Sequence, residues 1–294
     1  MSVKFMVFTD LHYDEMGDGA KRLDELVRAI EKNNPDFCIC LGDFCEPIDD
    51  NLHLKSNIEG TGVPIYFAVG NHELDHHSID EVQTFMRLEK TYYSFEVQEY
   101  KFIVLNTCYW NKDGVDYPYY RRNYKEQGAV FQVVPQDELE WLEAELQDNK
   151  KYIIFSHHSF INEFANRGVN NRQQVREILK NKNVLLCMNG HDHGDAMKME
   201  DDTVFYTVNS ASYMWAGSQI ASSEELTRKY AYLHGILPYK QVLYAMVEID
   251  ETTIRIQGID GEYLSVTPYD IGLHDYKWNG VLVLPRTSTY VIKY

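Results

Sequence analysis

The sequence lacks the features that would place it in several broad classes. Its five cysteines, Cys38, Cys40, Cys45, Cys108 and Cys187, form no CxxC pair, and three sit inside apolar runs. An odd set of this kind suits reduced, packed thiols in a reducing compartment rather than a disulfide framework. No apolar stretch approaches the roughly 18 residues that span a bilayer, so no membrane association is expected. The opening run from Val3 to Phe8 stops at Thr9-Asp10. It is too short for a secretory segment and has no small-residue cleavage site, which points to a cytoplasmic protein. Basic residues are in deficit, with 28 Lys+Arg against 45 Asp+Glu and a formal net charge of −17. That balance argues against a protein that grips a nucleic acid polymer along its phosphates. No linker rich in Gly, Ser or Pro divides the 294 residues, and no repeat is present. A single domain over 1–294 is expected, with 260–294 as a C-terminal extension.

Apolar periodicity supplies the elements. Val3 to Phe8, Phe37 to Leu41 and Pro64 to Val69 read as buried strands, and Gly19 to Asn33 carries Leu23, Leu26, Val27 and Ile30 at helical spacing. Strand, helix, strand at this spacing argues for crossover units and a largely parallel sheet. Ser78 with Glu81 forms a capping box opening a helix to about Leu88. Tyr92 to Phe95 and Lys101 to Leu105 read as a hairpin, and Pro135-Gln136-Asp137 opens a helix carrying Leu139, Trp141, Leu142 and Leu146. Tyr152 to Phe155 is a strand, Arg172 to Leu179 a helix and Val184 to Met188 a strand. Mainly β structure follows at Thr203 to Val208, Val242 to Ile249 and Thr253 to Ile259. Tyr109 to Val134 and the tail after Gly261 fit no element; its last part, Tyr276 to Tyr294, is open to two readings, a cover on the body or an oligomer contact.

The polar residues that end these strands form one set. Asp10-Leu11-His12 follows the first strand, Gly42-Asp43 the second and Gly70-Asn71-His72-Glu73 the third. Ser156-His157-His158 and Gly190-His191-Asp192-His193 follow two more. In open α/β sheets, ligands bind beyond the carboxyl ends of the strands, where these clusters would meet. Imidazole with carboxylate and amide oxygen suits divalent transition metals such as Mn, Fe or Zn. A lone D-x-H or G-D carries little weight; five clusters in one order, each directly after an expected strand, carry much more.

The order D-x-H, G-D, G-N-H-E, H-H and G-H-x-H resembles the calcineurin-like metallophosphoesterase superfamily, over residues 3 to about 258. The resemblance implies a four-layer α-β-β-α sandwich with two mixed β-sheets and a dinuclear metal centre at one edge. It implies one ion on Asp10, His12 and His193, a second on Asn71, His157 and His191, and Asp43 between them. Two divalent ions lower the pKa of a bridging water, and the resulting hydroxide attacks phosphorus in line. His72 matches the family's outer histidine, which protonates the leaving alkoxide. His158 is expected behind the ligands, Cys45 as a packed thiol and Glu46 either beside His72 or in solvent.

Departures from subfamilies narrow the choice. Purple acid phosphatases carry a Tyr where Glu46 stands, and Ser/Thr protein phosphatases continue G-D into x-x-D-R-G, whereas this chain reads Gly42-Asp43-Phe44-Cys45-Glu46-Pro47. The segment Tyr109 to Val134 carries Trp110, Tyr117, Tyr119, Tyr120, Arg121, Arg122 and Tyr124. Long loops are often lids, and aromatics beside arginines can stack a base and clamp a phosphate, or else simply pack the loop. Asn162 to Asn171, with Arg167, forms a second expected rim. The expected function is hydrolysis of a small-molecule phosphate monoester or diester. A nucleotide pyrophosphatase or cyclic nucleotide phosphodiesterase is the alternative, and a non-catalytic protein-binding scaffold the reading from another class. The acidic surface disfavours long polyanions but not a compact ester captured by a local cationic centre.

Overall fold

The computed structural model describes residues 2–123, 126–161, 164, 167–217, 235–278 and 280–294. In chain order the first elements are β1 (Val3–Phe8), α1 (Gly19–Asn33), β2 (Phe37–Cys40), α2 (Leu52–Glu59), β3 (Ile65–Phe67) and α3 (Ile79–Met86). Next come β4 (Tyr93–Val97), β5 (Tyr100–Val104), β6 (Tyr109–Lys112), β7 (Val115–Pro118), β8 (Val130–Val133), α4 (Gln136–Glu145), β9 (Lys151–Ser156), α5 (Arg172–Leu179) and β10 (Val184–Asn189). The last are β11 (Ala196–Glu200), β12 (Thr203–Thr207), β13 (Tyr213–Trp215), β14 (Ile236–Pro238), β15 (Ala245–Ile249), β16 (Thr253–Gln257), β17 (Lys277–Trp278), β18 (Val281–Leu282) and β19 (Tyr290–Lys293).

Two six-stranded mixed sheets result, in the orders β19-β16-β15-β1-β2-β3 and β11-β12-β10-β9-β5-β4. The strand period of two sorts side chains between layers. Val3, Phe5 and Val7 of β1 face the other sheet, where Phe5 packs edge-on against Phe102 and Phe155 at 5.7 Å. Met6 and Phe8 point the opposite way, onto Leu23, Leu26, Leu54 and Val82 of α1, α2 and α3. Ile103, Ile154 and Cys187 turn their backs on that inter-sheet core and meet Leu139 and Leu142 of α4 and Val175 and Leu179 of α5. Helices, sheet, sheet, helices is therefore the layer order, as expected of a four-layer sandwich. The Ser78–Glu81 capping box opens α3 as its sequence indicates.

Two regions go beyond the sequence reading. Within 109–134, β7, β6 and β8 form a three-stranded antiparallel ribbon, with Trp110 and Tyr119 buried and Trp110 stacked on Tyr117 at 4.5 Å; Tyr124 lies outside the described residues. The stretch after Gly261 covers the body. Tyr263 and Val283 pack with Met214 and Tyr239 behind β13, and β19 adds an antiparallel edge strand beside β16. Among the described residues no helix is long and apolar enough to cross a membrane.

Candidate metal centre

β1, β2 and β3 are parallel neighbours, as are β9 and β10, so their carboxyl ends gather at one rim of the sandwich. The chain bends sharply there. Asp10, His12, Asp43, His191 and His193 all have positive φ, between 49° and 65°. Such backbone is uncommon outside glycine, and Asp and His are among the residues that tolerate it. Gly42 reaches φ 103°, and a Cβ there would lie 2.6 Å from His157 Nδ1. The bends are cross-braced by Asp10 N–H to Gly42 O and His12 N–H to Asp43 O, each 3.0 Å. Glu73, fully buried, accepts the N–H groups of Asp43, Phe44 and Gly70 at 3.0, 2.5 and 2.8 Å. Burial, with Asp43 nearby, pushes its pKa up to about 7 despite those donors.

The seven expected ligand residues converge as two groups. In the first, His193 Nε2 is 3.2 Å from Asp10 Oδ1 and 3.4 Å from His12 Nε2. In the second, His157 Nε2 is 3.2 Å from Asn71 Oδ1 and 3.2 Å from His191 Nδ1. Asp43 Oδ2 stands between them, 3.2 Å from His157 Nε2 and 3.9 Å from His12 Nε2.

The contacts behind these atoms decide what they can accommodate. His193 Nδ1 faces the Tyr213 carbonyl at 2.9 Å, His157 Nδ1 the Leu41 carbonyl at 2.8 Å and His12 Nδ1 the Glu15 carboxylate at 2.9 Å. The two carbonyls only accept, so His193 and His157 each carry a proton on Nδ1. Burial opposes charge on His157 and His12, but Asp43 raises His157 to about 9 and Glu15 raises His12, while burial lowers His193 despite Asp10. Asp10 Oδ2 accepts from Thr9 Oγ1 and His191 N–H, while Oδ1 is buried without a hydrogen-bond donor among the described residues. Imidazole nitrogens and carboxylate oxygens thus crowd within 3.2–3.9 Å in a buried site, where bound cations would take the place of protons on the Nε2 atoms. These donor groups could hold metal ions.

Residues 3–195 match the family model for calcineurin-like phosphoesterases. The chain belongs to that family. It is a metallophosphoesterase, a hydrolase of phosphoric ester bonds, and its family implies divalent metal ions. No curated protein matches the chain by sequence. A dimetal phosphatase from Danio rerio shares the fold with a TM-score of 0.62 at 13% identity, over 90% of this chain and 99% of that one. GAP50, the anchor in the inner membrane complex of Plasmodium, does so with a TM-score of 0.55 at 13% identity, over 99% and 88%.

Around this calcineurin-like centre the outer residues divide. His72, 36% exposed, borders a cavity of about 460 Å³ shared with Asp14, Glu15, Glu46, His76 and Arg122. Burial opposes its charge, but Asp43, Asp75 and Glu15 raise its pKa to about 10. His158 Nδ1 is 2.7 Å from Thr107 Oγ1, and His158 also groups with His157 and His191 as donors that could hold a metal ion. Burial first, then His157, pushes His158 well below 6.5, and burial with His158 does the same to His191, so both stay neutral. Cys45 is buried. Glu46 does not orient His72. It stands 3.4 Å from His77 Nε2, and Asp75 Oδ2 takes the place beside His72 Nδ1 at 3.0 Å. Arg121 stacks on Tyr120 at 5.0 Å and is no wall of the cavity, whereas Arg122 is one. Arg167 braces the loop, donating to His191 O at 2.6 Å and to Asp192 Oδ1 at 3.3 Å, and lies 4.7 Å over the Trp215 ring. Asn162, at the start of the expected second rim, lies outside the described residues.

Sequence reasoning passed over Glu15 and Asp75. Each is an acid three residues after a site histidine, in a turn that brings position i+3 back beside i. That spacing, H-x-x-[DE] directly after a strand, is the signal that finds them.

Proposed function

We propose that Asp10, His12 and His193 hold one divalent ion and Asn71, His157 and His191 a second, with Asp43 shared, and that the protein hydrolyses small polar phosphate monoesters or diesters. The observation that carries this reading is the convergence of the His12, His193 and His157 Nε2 atoms on the Asp10 and Asp43 oxygens. Two bound divalent ions would supply the Lewis acidity that activates water and offsets phosphoryl charge. The protein's own part is orientation and proton supply. The Leu41 and Tyr213 carbonyls orient the His157 and His193 rings, and the Glu15 carboxylate pairs with His12 Nδ1. His72, protonated between carboxylates, has a proton for the leaving oxygen. Among the described residues, the cavity beside it is walled by carboxylates, imidazoles, Cys45 and Arg122 without a tyrosine, tryptophan or phenylalanine, which suits a hydrophilic leaving group.

Trp215 favours a second reading. Its ring is 38% exposed and stiffened by Arg167, two residues from the carbonyl that orients His193. A nucleobase could stack there, which would make the substrate a cyclic nucleotide or a nucleoside diphosphate ester. The test is a Mn-reconstituted activity panel over an alkyl monoester, a diester, cyclic nucleotides and ADP-ribose. Preference for simple esters supports the first reading. Preference for nucleotides, lost in Trp215→Ala, selects the second, and failure on every member overturns both.

A further inference from the structure

Asp75 lies between two side chains from distant parts of the sequence. Its Oδ2 is 3.0 Å from His72 Nδ1 and 2.8 Å from Arg122 Nη2, and the residue is buried. Arg122 belongs to the connection between β7 and β8, in the ribbon that interrupts the sandwich, and it lines the cavity beside His72. The same connection is pinned to the turn that carries His72, because the N–H of Arg121 donates to Leu74 O at 3.0 Å. Arg121 and Arg122 both have positive φ, 48° and 60°. Arginine gains nothing locally from that backbone, so contacts made by the ribbon hold it there.

Charge alone does not explain the pairing. Arg122 is 50% exposed, and an ion pair at such a site adds little stability. Geometry explains it better. A carboxylate with one partner can rotate about its terminal torsion; an arginine on the same oxygen fixes that oxygen's position, and with it the plane and reach of the imidazole. An error of about 1 Å in a proton donor can cost on the order of 100-fold in rate.

We propose that Arg122 is a positioning residue which, through Asp75, aims His72 at the leaving oxygen, so that the 109–134 ribbon is a working part of the proton-donating apparatus. The inference rests on His72 being the proton donor, and the experiment separates the two. Arg122→Gln, Arg122→Lys and His72→Ala are compared on an alkyl phosphate, whose leaving group needs a proton, and on p-nitrophenyl phosphate, whose leaving group does not. His72→Ala should lower the alkyl-to-aryl rate ratio by about 100-fold. Arg122→Gln should lower it by about 10-fold, and Arg122→Lys should restore most of it. A ribbon that merely shapes the cavity would slow both esters together. In metal-free protein, imidazole 15N spectra should show the His72 Nδ1 signal shifted by Arg122→Gln and restored by Arg122→Lys. An unchanged ratio and unchanged spectra in Arg122→Gln, with His72→Ala behaving as stated, overturn the role of Arg122 alone. An unchanged ratio in His72→Ala overturns the proton-donor reading and the inference with it.

Discussion

Asp43 Oδ1 accepts the backbone N–H of His72 at 2.8 Å. This one bond fixes the carboxylate so that Oδ2 faces both ligand groups, and it ties the proposed shared ligand to the residue proposed to supply the proton. Burial alone would raise the Asp43 pKa, but His157 and His72 outweigh it and hold the group well below 3.8, ionised at any working pH. Asp43→Asn keeps the shape and removes the charge that two cations would share. The mutant is expected to retain fewer than two ions per chain after Mn loading, where the wild type retains about two, and to lose at least about 100-fold in hydrolysis. Elemental analysis of gel-filtered protein, read beside the rate, checks both.

The site was more legible in the sequence than its supports. Asp10, His12, Asp43, Asn71, His157, His191 and His193 each follow a short apolar run, and parallel strands can only deliver such residues to one rim. The ribbon over 109–134 was not legible. Its strands are four residues long, and β7 exposes Val115 and Tyr117. Alternation that short, with the apolar side facing out, gives no strand signal. β19 buries only Ile292 and exists because β16 offers an open edge, which is a tertiary fact. The role of Glu73 was invisible for the same reason: its partners Asp43 and Phe44 lie about thirty residues away.

Removing metal should weaken the fold itself. With the cations stripped, the buried His12, His193 and His157 rings and the Asp10 and Asp43 carboxylates are left crowded together with only protons to offset the carboxylate charge. Chelator-treated protein is expected to unfold at a lower temperature and to recover on adding Mn. The recovery should be about 2.7 kcal/mol when free Mn is about 100 times its dissociation constant. Calorimetry with and without Mn measures it, and Mg at the same concentration, a poorer match for imidazole, should restore less.

Gly42 tests the backbone that carries the site. Its φ of 103° is open to glycine, and an added methyl would meet His157 Nδ1 at 2.6 Å and Gly70 Cα at 2.7 Å. Gly42→Ala is therefore expected to cost about 2 kcal/mol of stability and to displace His157 from its Leu41 carbonyl. Denaturant unfolding reports the first effect and weakened Mn binding the second. Gly62→Ala, at φ 80° with nothing within 4 Å of the new Cβ, is the control for backbone cost without collision.

Glu138 makes stability depend on pH at a position away from the ligands. It is fully buried in the first turn of α4, where Oε1 accepts the N–H of Asn106 at 2.7 Å and Oε2 has no hydrogen-bond partner among the described residues. Burial, helped by Asp137, pushes its pKa well above 4.5. The folded chain thus holds this proton more tightly than the unfolded chain does. Its contribution to stability is complete below about pH 4.5 and is lost as pH rises through the folded value, leaving a buried charge to be tolerated at neutral pH. Glu138→Gln keeps the shape and the acceptor oxygen without the charge. The variant is expected to match the wild type near pH 4.5 and to exceed it by about 1–2 kcal/mol at pH 8. Paired unfolding curves at several pH values, at one free Mn concentration, measure the gap. A gap that stays constant with pH, or reverses, means that the buried carboxyl titrates no differently in the folded chain than in the unfolded one.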